Sequence, residues 1–176
     1  MSENVFFTAD LHFSHQNIIE YCNRPWKKAE AMNKGLIDNW NSVVGEKDEV
    51  YILGDLTLMN SDQSTKLAAM LSRMKGKKHL ICGNHDKLKP SDYIDIGFNS
   101  VHYPYFVWNN WILVHDPALA VACPENSLIL CGHVHNAFGK VLPAEKGRTI
   151  INVGVDVWDY KPVSEEQIVN CCEKNL

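Results

Sequence analysis

Short apolar runs, rich in β-branched and aromatic residues, recur along the chain and are bounded by polar or turn-forming residues. Runs of this length and composition are typical of buried β-strands. They lie at 5–9, 50–53, 79–82, 111–114, 128–131 and 149–153. The pattern therefore predicts strands spread over most of the chain.

Apolar residues with helical spacing separate the first three predicted strands. Each set would place its apolar side chains on one face of an amphipathic helix. A strand, a helix and a second strand in succession form a right-handed crossover, so the first half is predicted to contain a parallel sheet. The apolar positions are 32, 36, 37, 40, 43 and 44, and then 67, 70, 71 and 74 before Gly76.

The second half of the chain is predicted to contain antiparallel pairs. Asn109 and Asn110 lie between apolar runs at 105–108 and 111–114. Asparagine tolerates the positive φ of a tight turn, so this segment is predicted to be a β-hairpin.

Two further signals complete the predicted architecture. Lys146 and Gly147 indicate a chain reversal before the last apolar run. Ser164 and Gln167 have the spacing of a capping box, which predicts a final helix through Cys172. The elements together predict an α/β fold in which two mixed β-sheets form a sandwich flanked by α-helices.

Composition and charge exclude several classes of protein. With 176 residues, 45% of them hydrophobic and 22% charged, residues 1–176 are expected to form a single folded domain. A net charge of −4 excludes a protein that simply coats nucleic acid. No apolar run approaches the roughly 18 to 20 residues of a membrane span. We expect a cytoplasmic protein whose cysteines are reduced thiols.

Residues that bind metals or transfer protons follow five of these runs. Ligands of open α/β sheets collect at the carboxyl ends of strands, so one cluster is expected. Alternation along an extended segment would point residues i and i+2 to the same side. Taken singly, each residue is also explained as a cap, a turn or a hydrogen-bonded structural histidine. They are Asp10 and His12; Gly54 and Asp55; Gly83, Asn84, His85 and Asp86; His115; and Gly132, His133 and His135.

A resemblance to a known family rests on these strand-end motifs. All five of the family's sequence blocks are present, they span residues 10–135, and its two-sheet sandwich fold agrees with the predicted elements. The chain resembles the calcineurin-like metallophosphoesterase family, as a small stand-alone phosphoesterase of bacterial or phage type. The motifs are Asp10-Leu11-His12, Gly54-Asp55, Gly83-Asn84-His85-Asp86, His115 and Gly132-His133-Val134-His135.

The resemblance implies a binuclear metal centre with Asp55 as the bridging ligand. Carboxylate, amide and imidazole donors suit first-row divalent metals. Mn²⁺ is the leading candidate, and Fe²⁺, Zn²⁺ and Ni²⁺ are the alternatives. The implied ligands are Asp10, His12, Asp55 and His135 for one metal, and Asp55, Asn84, His115 and His133 for the other.

The resemblance also implies hydrolysis of phosphate esters. A hydroxide bridging the two metals would attack phosphorus in line with the leaving oxygen. His85 is the implied general acid, and Asp86 would hydrogen-bond its ring and keep it protonated. The expected substrate is a small-molecule phosphate ester such as a nucleotide, with phosphodiesters favoured over monoesters.

Substrate contacts are less clearly indicated by the sequence. His15 and Arg24 follow the first motif closely enough to touch a substrate, although a surface histidine and a solvated loop arginine are the alternatives. Phe13 stands where the family often has glycine, and is expected to narrow or re-aim the entrance. Residues 152–155 depart from the family's usual Asn-Pro-Gly-Ser. Both departures concern substrate recognition more than catalysis.

Two other functions compete with this interpretation. A nuclease acting on nucleic-acid phosphodiesters would need a basic surface that tracks the backbone, and the chain has no room for an additional cap domain. A metal-poor scaffold of the same fold would have lost its ligands, whereas every ligand position is intact here. Stable binding to nucleic acid or to a membrane is therefore not expected, and the oligomeric state is left open.

Overall fold

A computed structural model describes residues 4–59 and 61–174 of the chain. Two mixed five-stranded β-sheets form the framework. Within the described residues, none of the helices has the length and apolar character that crossing a bilayer requires. The strands are β1 (Val5–Thr8), β2 (Glu49–Ile52), β3 (Lys77–Ile81), β4 (Ser100–His102), β5 (Tyr105–Trp108), β6 (Trp111–Val114), β7 (Leu128–Cys131), β8 (Val141–Leu142), β9 (Thr149–Asn152) and β10 (Val163–Ser164). The α-helices are α1 (Gln16–Tyr21), α2 (Ala29–Asn41), α3 (Ser64–Leu71), α4 (Pro90–Asp95) and α5 (Glu165–Glu173).

The first sheet has the strand order β10-β1-β2-β3-β4. Strands β1 to β4 run parallel, and β10 pairs antiparallel with β1. The register places Phe7 beside Tyr51 and Tyr51 beside His79. The parallel sheet predicted for the first half is confirmed, with α2 and α3 in its crossovers.

The second sheet has the order β5-β6-β7-β9-β8. Strands β6, β7 and β9 are parallel, whereas β5 and β8 run antiparallel to their neighbours. Asn109 and Asn110 form the β5–β6 turn with φ of 44° and 69°, which confirms the predicted hairpin. Lys146 and Gly147 lie in the reversal between β8 and β9, also with positive φ.

The main cores lie on both faces of the first sheet. On its outer face, helices α1 to α4 cover an apolar layer centred on Trp40, which is fully buried and donates from Nε1 to the Lys75 carbonyl at 2.9 Å. The inner face packs against the second sheet. That inner core contains Phe7, Tyr51, Leu53, Ile81, Leu113, Leu130 and Ile151.

Several element boundaries differ from the prediction. Helix α2 ends at Asn41, although apolar spacing continues to Val44, which is 2% exposed in the following turn. The turn after α2 buries the Val44 side chain before the chain enters β2, so the apolar spacing continues beyond the end of the helix. Strands β4, β8 and β10 and helices α1 and α4 were not predicted, because such short segments show no hydrophobic period.

Candidate metal centre

The donor residues lie just beyond the carboxyl ends of strands from both sheets. The loops after β1, β2 and β3 approach those after β6 and β7, and the isolated bridge from Ala9 to Gly154 joins the sheets at this edge. The cluster predicted from the strand ends is therefore present.

The donor side chains converge through left-handed backbone conformations rather than through strand alternation. Asp10 and His12 have φ of 60° and 50°, and His133 and His135 have φ of 71° and 48°. The expectation of an extended i, i+2 arrangement was therefore wrong. Each such conformation costs a non-glycine residue about 1 to 2 kcal/mol, so surrounding contacts must hold these loops in place.

A first donor group consists of Asp10, His12 and His135. One ligand atom from each lies within 4.8 Å of the others. The Asp10 carboxylate is fully buried, and both of its oxygens lie 3.0 Å from the His133 backbone N–H, which donates to them. These are three of the four residues that the family resemblance assigned to one metal.

A second donor group consists of Asp55, His115 and His133, whose ligand atoms also lie within 4.8 Å of one another. Asn84 adds a fourth donor, because its Oδ1 lies 2.9 Å from His115 Nε2 and 3.1 Å from His133 Nδ1. His133 Nδ1 and His115 Nε2 are themselves 3.2 Å apart. The full set assigned to the other metal is therefore assembled.

The Asp55 carboxylate lies between the two donor groups. Its Oδ1 is 3.4 Å from His115 Nε2, and its Oδ2 is 3.6 Å from His12 Nε2. Oδ1 also accepts a hydrogen bond of 2.9 Å from the His85 backbone N–H. One carboxylate thus presents a different oxygen to each group, which is one of the arrangements in which a carboxylate can bridge two cations.

The unsatisfied polar atoms of the site fit divalent cations. His12 Nε2 is buried and has no hydrogen-bond partner among the described residues. An unpaired buried nitrogen is costly, and a cation held with the Asp55 and Asp10 carboxylates would satisfy it. Mixed imidazole, carboxylate and amide donors suit Mn²⁺, Fe²⁺, Zn²⁺ or Ni²⁺.

Burial and hydrogen bonding set the protonation of the donors. Burial lowers the pKa of His12 to about 3, so its ring is neutral, the form that binds metals. Burial opposes protonation of His115 and His135 as well. Hydrogen bonds to Asp55 and Asp156 outweigh it and raise the pKa of His115 to about 9 and that of His135 to about 10.

Asp86 has a different role from the one expected. Its carboxylate accepts hydrogen bonds from the backbone N–H groups of Gly83 and Asp55 at 2.8 Å and of Leu56 at 3.0 Å. The structure gives it no hydrogen bond to the His85 ring. Asp86 therefore ties the loop after β3 to the loop after β2 and positions Asp55.

Close approach of these two loops also requires glycine. A Cβ on Gly83 would lie 2.4 Å from Asp55 Oδ1, and a Cβ on Gly54 would lie 2.4 Å from His115 Nδ1. Neither distance is compatible with a side chain. These glycines keep the space that the donor atoms occupy.

Arg24 is not the substrate contact that the sequence suggested. Its side chain is 0% exposed and forms a two-pronged ion pair with Asp156, at 2.8 Å from Nε and 2.9 Å from Nη2. The remaining donors bind the Asp10 carbonyl at 2.7 Å and the Leu11 carbonyl at 3.1 Å. The guanidinium is fully occupied in holding the first metal-binding loop.

Asp156 is the principal site residue that sequence reasoning missed. Besides Arg24, its Oδ2 lies 2.9 Å from His135 Nδ1, which fixes the orientation of that ring. Its position in the sequence could have identified it, because Asp156 follows β9 just as the other candidate donors follow their strands. Asn152 holds the backbone of the same residue, since its Nδ2 donates to the His135 carbonyl at 2.7 Å.

Two histidines lie at the outer edge of the donor groups. The His85 side chain is 41% exposed, and its Nε2 is 3.9 Å from Asp55 Oδ2. The partly exposed His15 has its Nδ1 3.5 Å from His12 Nδ1.

Phe13, in contrast, is fully buried in the core under the helices, so the expectation that it narrows the entrance was wrong.

Comparison with known proteins identifies the family. The sequence model of the calcineurin-like phosphoesterase family matches residues 4–158. The chain belongs to the calcineurin-like phosphoesterase family. Metal-dependent hydrolysis of phosphate esters is the chemistry associated with this family, and the two donor groups contain candidate metal-ligand residues.

Proteins similar in sequence to this phosphoesterase occur in an archaeon and in phages, and a bacterial protein shares its fold. It is 38% identical over 171 residues to the uncharacterized protein MJ1445 of Methanocaldococcus jannaschii, covering 97% of this chain and 92% of the relative. It is 27% identical over 203 residues to the Gene 66 protein of Mycobacterium phage L5, covering 94% of this chain and 92% of that protein. The crystal structure of AQ665 from Aquifex aeolicus, a protein of unknown function, superposes with a TM-score of 0.72 at 24% identity, covering 97% of this chain and all of that one.

Removal of Arg24 should destabilise the phosphoesterase through its buried ion pair. Arg24→Met leaves the Asp156 carboxylate buried without its partner, so we expect the free energy of unfolding to fall by about 3 to 5 kcal/mol. Lys34→Met is the matched control, because the Lys34–Asp38 pair is exposed and should change stability by less than about 0.5 kcal/mol. Urea denaturation measures both, and similar losses in the two variants would contradict the structural role of Arg24.

Metal binding should release protons. Because the pKa values of His115 and His135 are raised, both rings carry a proton at pH 7 in the metal-free protein. A cation must displace these protons, so metal affinity should rise as pH increases from 6 towards 9. Titration calorimetry of Mn²⁺ in buffers of different ionisation enthalpy measures the released protons, and an affinity independent of pH would contradict this assignment.

Proposed function

We propose that this protein is a binuclear metal-dependent phosphodiesterase acting on small-molecule substrates. The observation that carries the proposal is the Asp55 carboxylate, which offers one oxygen to each of two complete donor groups. The first would be Asp10, His12, Asp55 and His135, and the second Asp55, Asn84, His115 and His133. Two cations bound there would supply charge neutralisation for the phosphoryl group and a nucleophile made from water at neutral pH. Mn²⁺ is the favoured ion.

His85 is proposed as the general acid. The backbone N–H of His85 is anchored to Asp55 Oδ1, while its side chain remains 41% exposed at the edge of the site. The ring can therefore reach the leaving oxygen and donate a proton as the P–O bond breaks in line with the attacking water. Asp86 contributes by fixing the loop that carries His85, not by charging its ring.

His15 is proposed as a substrate contact beside the first donor group. Its ring lies against His12 and faces the exposed Tyr21, with ring centroids 5.3 Å and 6.3 Å away. Burial lowers the pKa of His15, so its ring is neutral at physiological pH and can orient a substrate oxygen without adding charge.

The charge at the site favours diesters over monoesters. The guanidinium of Arg24 is buried against Asp156, and the described residues that line the cleft beside the second donor group include no arginine or lysine. A diester carries one negative charge where a monoester carries up to two, so it needs less compensation. The net charge of −4 likewise argues against the nuclease alternative. Separately, we propose that the enzyme acts in the cytoplasm.

A hydrolysis assay tests the proposal directly. Metal is first removed from the protein with a chelator, and Mn²⁺, Zn²⁺ or Mg²⁺ is then added back separately. We expect metal-dependent turnover of bis-p-nitrophenyl phosphate, faster than that of p-nitrophenyl phosphate, with about two bound ions per chain. Single-stranded DNA should be a poor substrate. Absence of both metal binding and turnover would instead favour the scaffold interpretation.

Two variants should fail in different ways. Asp55→Asn should lose metal and turnover together, because both donor groups depend on its carboxylate. His85→Ala should keep its metals but lose about 10²- to 10⁴-fold in turnover of diesters with alkyl leaving groups, which need a proton. Esters of p-nitrophenol should be affected much less.

His79→Ala is a matched control for His85→Ala, since His79 lies within β3 and bonds to Ser100 rather than to the donor groups. It should retain the activity of the wild type. Full turnover of alkyl diesters by His85→Ala would exclude His85 as the acid.

A further inference from the structure

A cleft of about 280 Å³ opens beside the second donor group. Asn84, His115 and His133 of that group form part of its lining, together with residues of the β4–β5 connection and of the turn after β6. A phosphate bound by a cation in that donor group would therefore lie next to this cleft, where its ester substituent could enter. We call it the Tyr103 cleft.

Large apolar side chains line the outer part of the Tyr103 cleft. Tyr103 is 80% exposed and Leu119 is 40% exposed, and Pro104 lies between the tyrosine and β5. Exposed apolar side chains that surround a concave surface are typical of ligand-binding sites. The exposed phenol ring offers a flat face to a second ring.

The lining of the Tyr103 cleft includes an acidic side chain. Among the described residues lining it there is one carboxylate, Asp116, and neither lysine nor arginine. Asp116 Oδ1 accepts from the Ala118 backbone N–H at 2.8 Å, which holds the carboxylate in place at the start of the turn Pro117–Ala122. A further phosphate or carboxylate placed beside Asp116 would meet a like charge and no lysine or arginine of the lining, so an uncharged occupant is favoured.

The size of the Tyr103 cleft limits the occupant further. Small-molecule sites span about 300 to 1,000 Å³, so 280 Å³ lies just below that range. Such a volume accommodates one ring system and excludes an extended strand.

We propose that the Tyr103 cleft is a specificity subsite that binds the uncharged aromatic group of a phosphate ester, stacked on the ring of Tyr103. The proposal rests on the proposed function in one respect, namely that the donor groups hold the phosphate. It goes further by assigning the substrate class: aromatic esters, including nucleosides esterified through a single phosphate, over alkyl esters and polyphosphates.

Binding of two phosphonates to the Mn²⁺-loaded protein tests the subsite without relying on turnover. Phenylphosphonate and methylphosphonate share the charged group, and their C–P bonds resist hydrolysis. Calorimetry should show phenylphosphonate binding about 5-fold or more tightly than methylphosphonate, in the range of aromatic stacking. Equal affinities, or no binding of either compound, would overturn the proposal.

Variants of the two neighbouring tyrosines locate the effect. Tyr103→Ala should abolish the phenyl preference, and Tyr103→Phe should retain it because the ring remains. Tyr105→Ala is the matched control: that side chain is 56% exposed on β5 but does not line the cleft, so the preference should persist. A preference that survives in Tyr103→Ala overturns the assignment.

Asp116 gives a second, independent arm. The wild type should bind 4-phosphonobenzoate more weakly than phenylphosphonate, and Asp116→Asn should reduce that difference several-fold, because the amide keeps the hydrogen bond but not the charge. An unchanged difference contradicts the charge selectivity of the cleft.

Hydrolysis of bis-p-nitrophenyl phosphate on the same preparations separates the two proposals. Turnover with equal phosphonate binding overturns the subsite alone. A phenyl preference that depends on Tyr103, found without turnover, supports the subsite and overturns the proposed enzymatic function.

Discussion

The position of the Asp55 carboxylate is the constraint on which the site depends. Its two oxygens lie within 3.4 Å of His115 Nε2 and 3.6 Å of His12 Nε2. Burial would raise the pKa of Asp55, but hydrogen bonds and the nearby histidines outweigh it and lower that pKa to about 2. The group is therefore an anion at any physiological pH. Asp86 binds the Asp55 backbone, and Gly83 leaves the space that its carboxylate fills.

A second buried network holds the other side of the site. Arg24 joins the end of α1 to the carbonyls of Asp10 and Leu11, and through Asp156 to the ring of His135. Burying an ion pair contributes little net stability, because desolvation offsets most of the attraction. Its value here is geometric, since it holds loops whose left-handed conformations are unfavourable on their own.

The candidate metal donors and the outer lining of the Tyr103 cleft lie on different loops. The donor atoms belong to short loops at the carboxyl ends of parallel strands, where backbone bonds leave little freedom. The Tyr103 cleft shares Asn84, His115 and His133 with the second donor group, whereas its exposed side chains belong to the β4–β5 connection and the turn after β6. Under the proposed function, substitutions of those exposed side chains would alter substrate preference without changing the donor residues.

The family, the principal strands along the chain, the crossovers of the first half and the clustering of the candidate donor residues were predictable from the sequence alone. Hydrophobic periodicity is a local property, and motifs such as Gly83-Asn84-His85-Asp86 place donors directly after strands. Only the tertiary structure showed that Arg24 is buried, that Asp86 binds backbone rather than the His85 ring, and that Asp156 orients His135. These contacts join residues far apart in the chain, 132 positions for Arg24 and Asp156, and depend on loop conformations that no local pattern encodes. Burial and partner choice arise when the two sheets pack, and so they are decided by the fold.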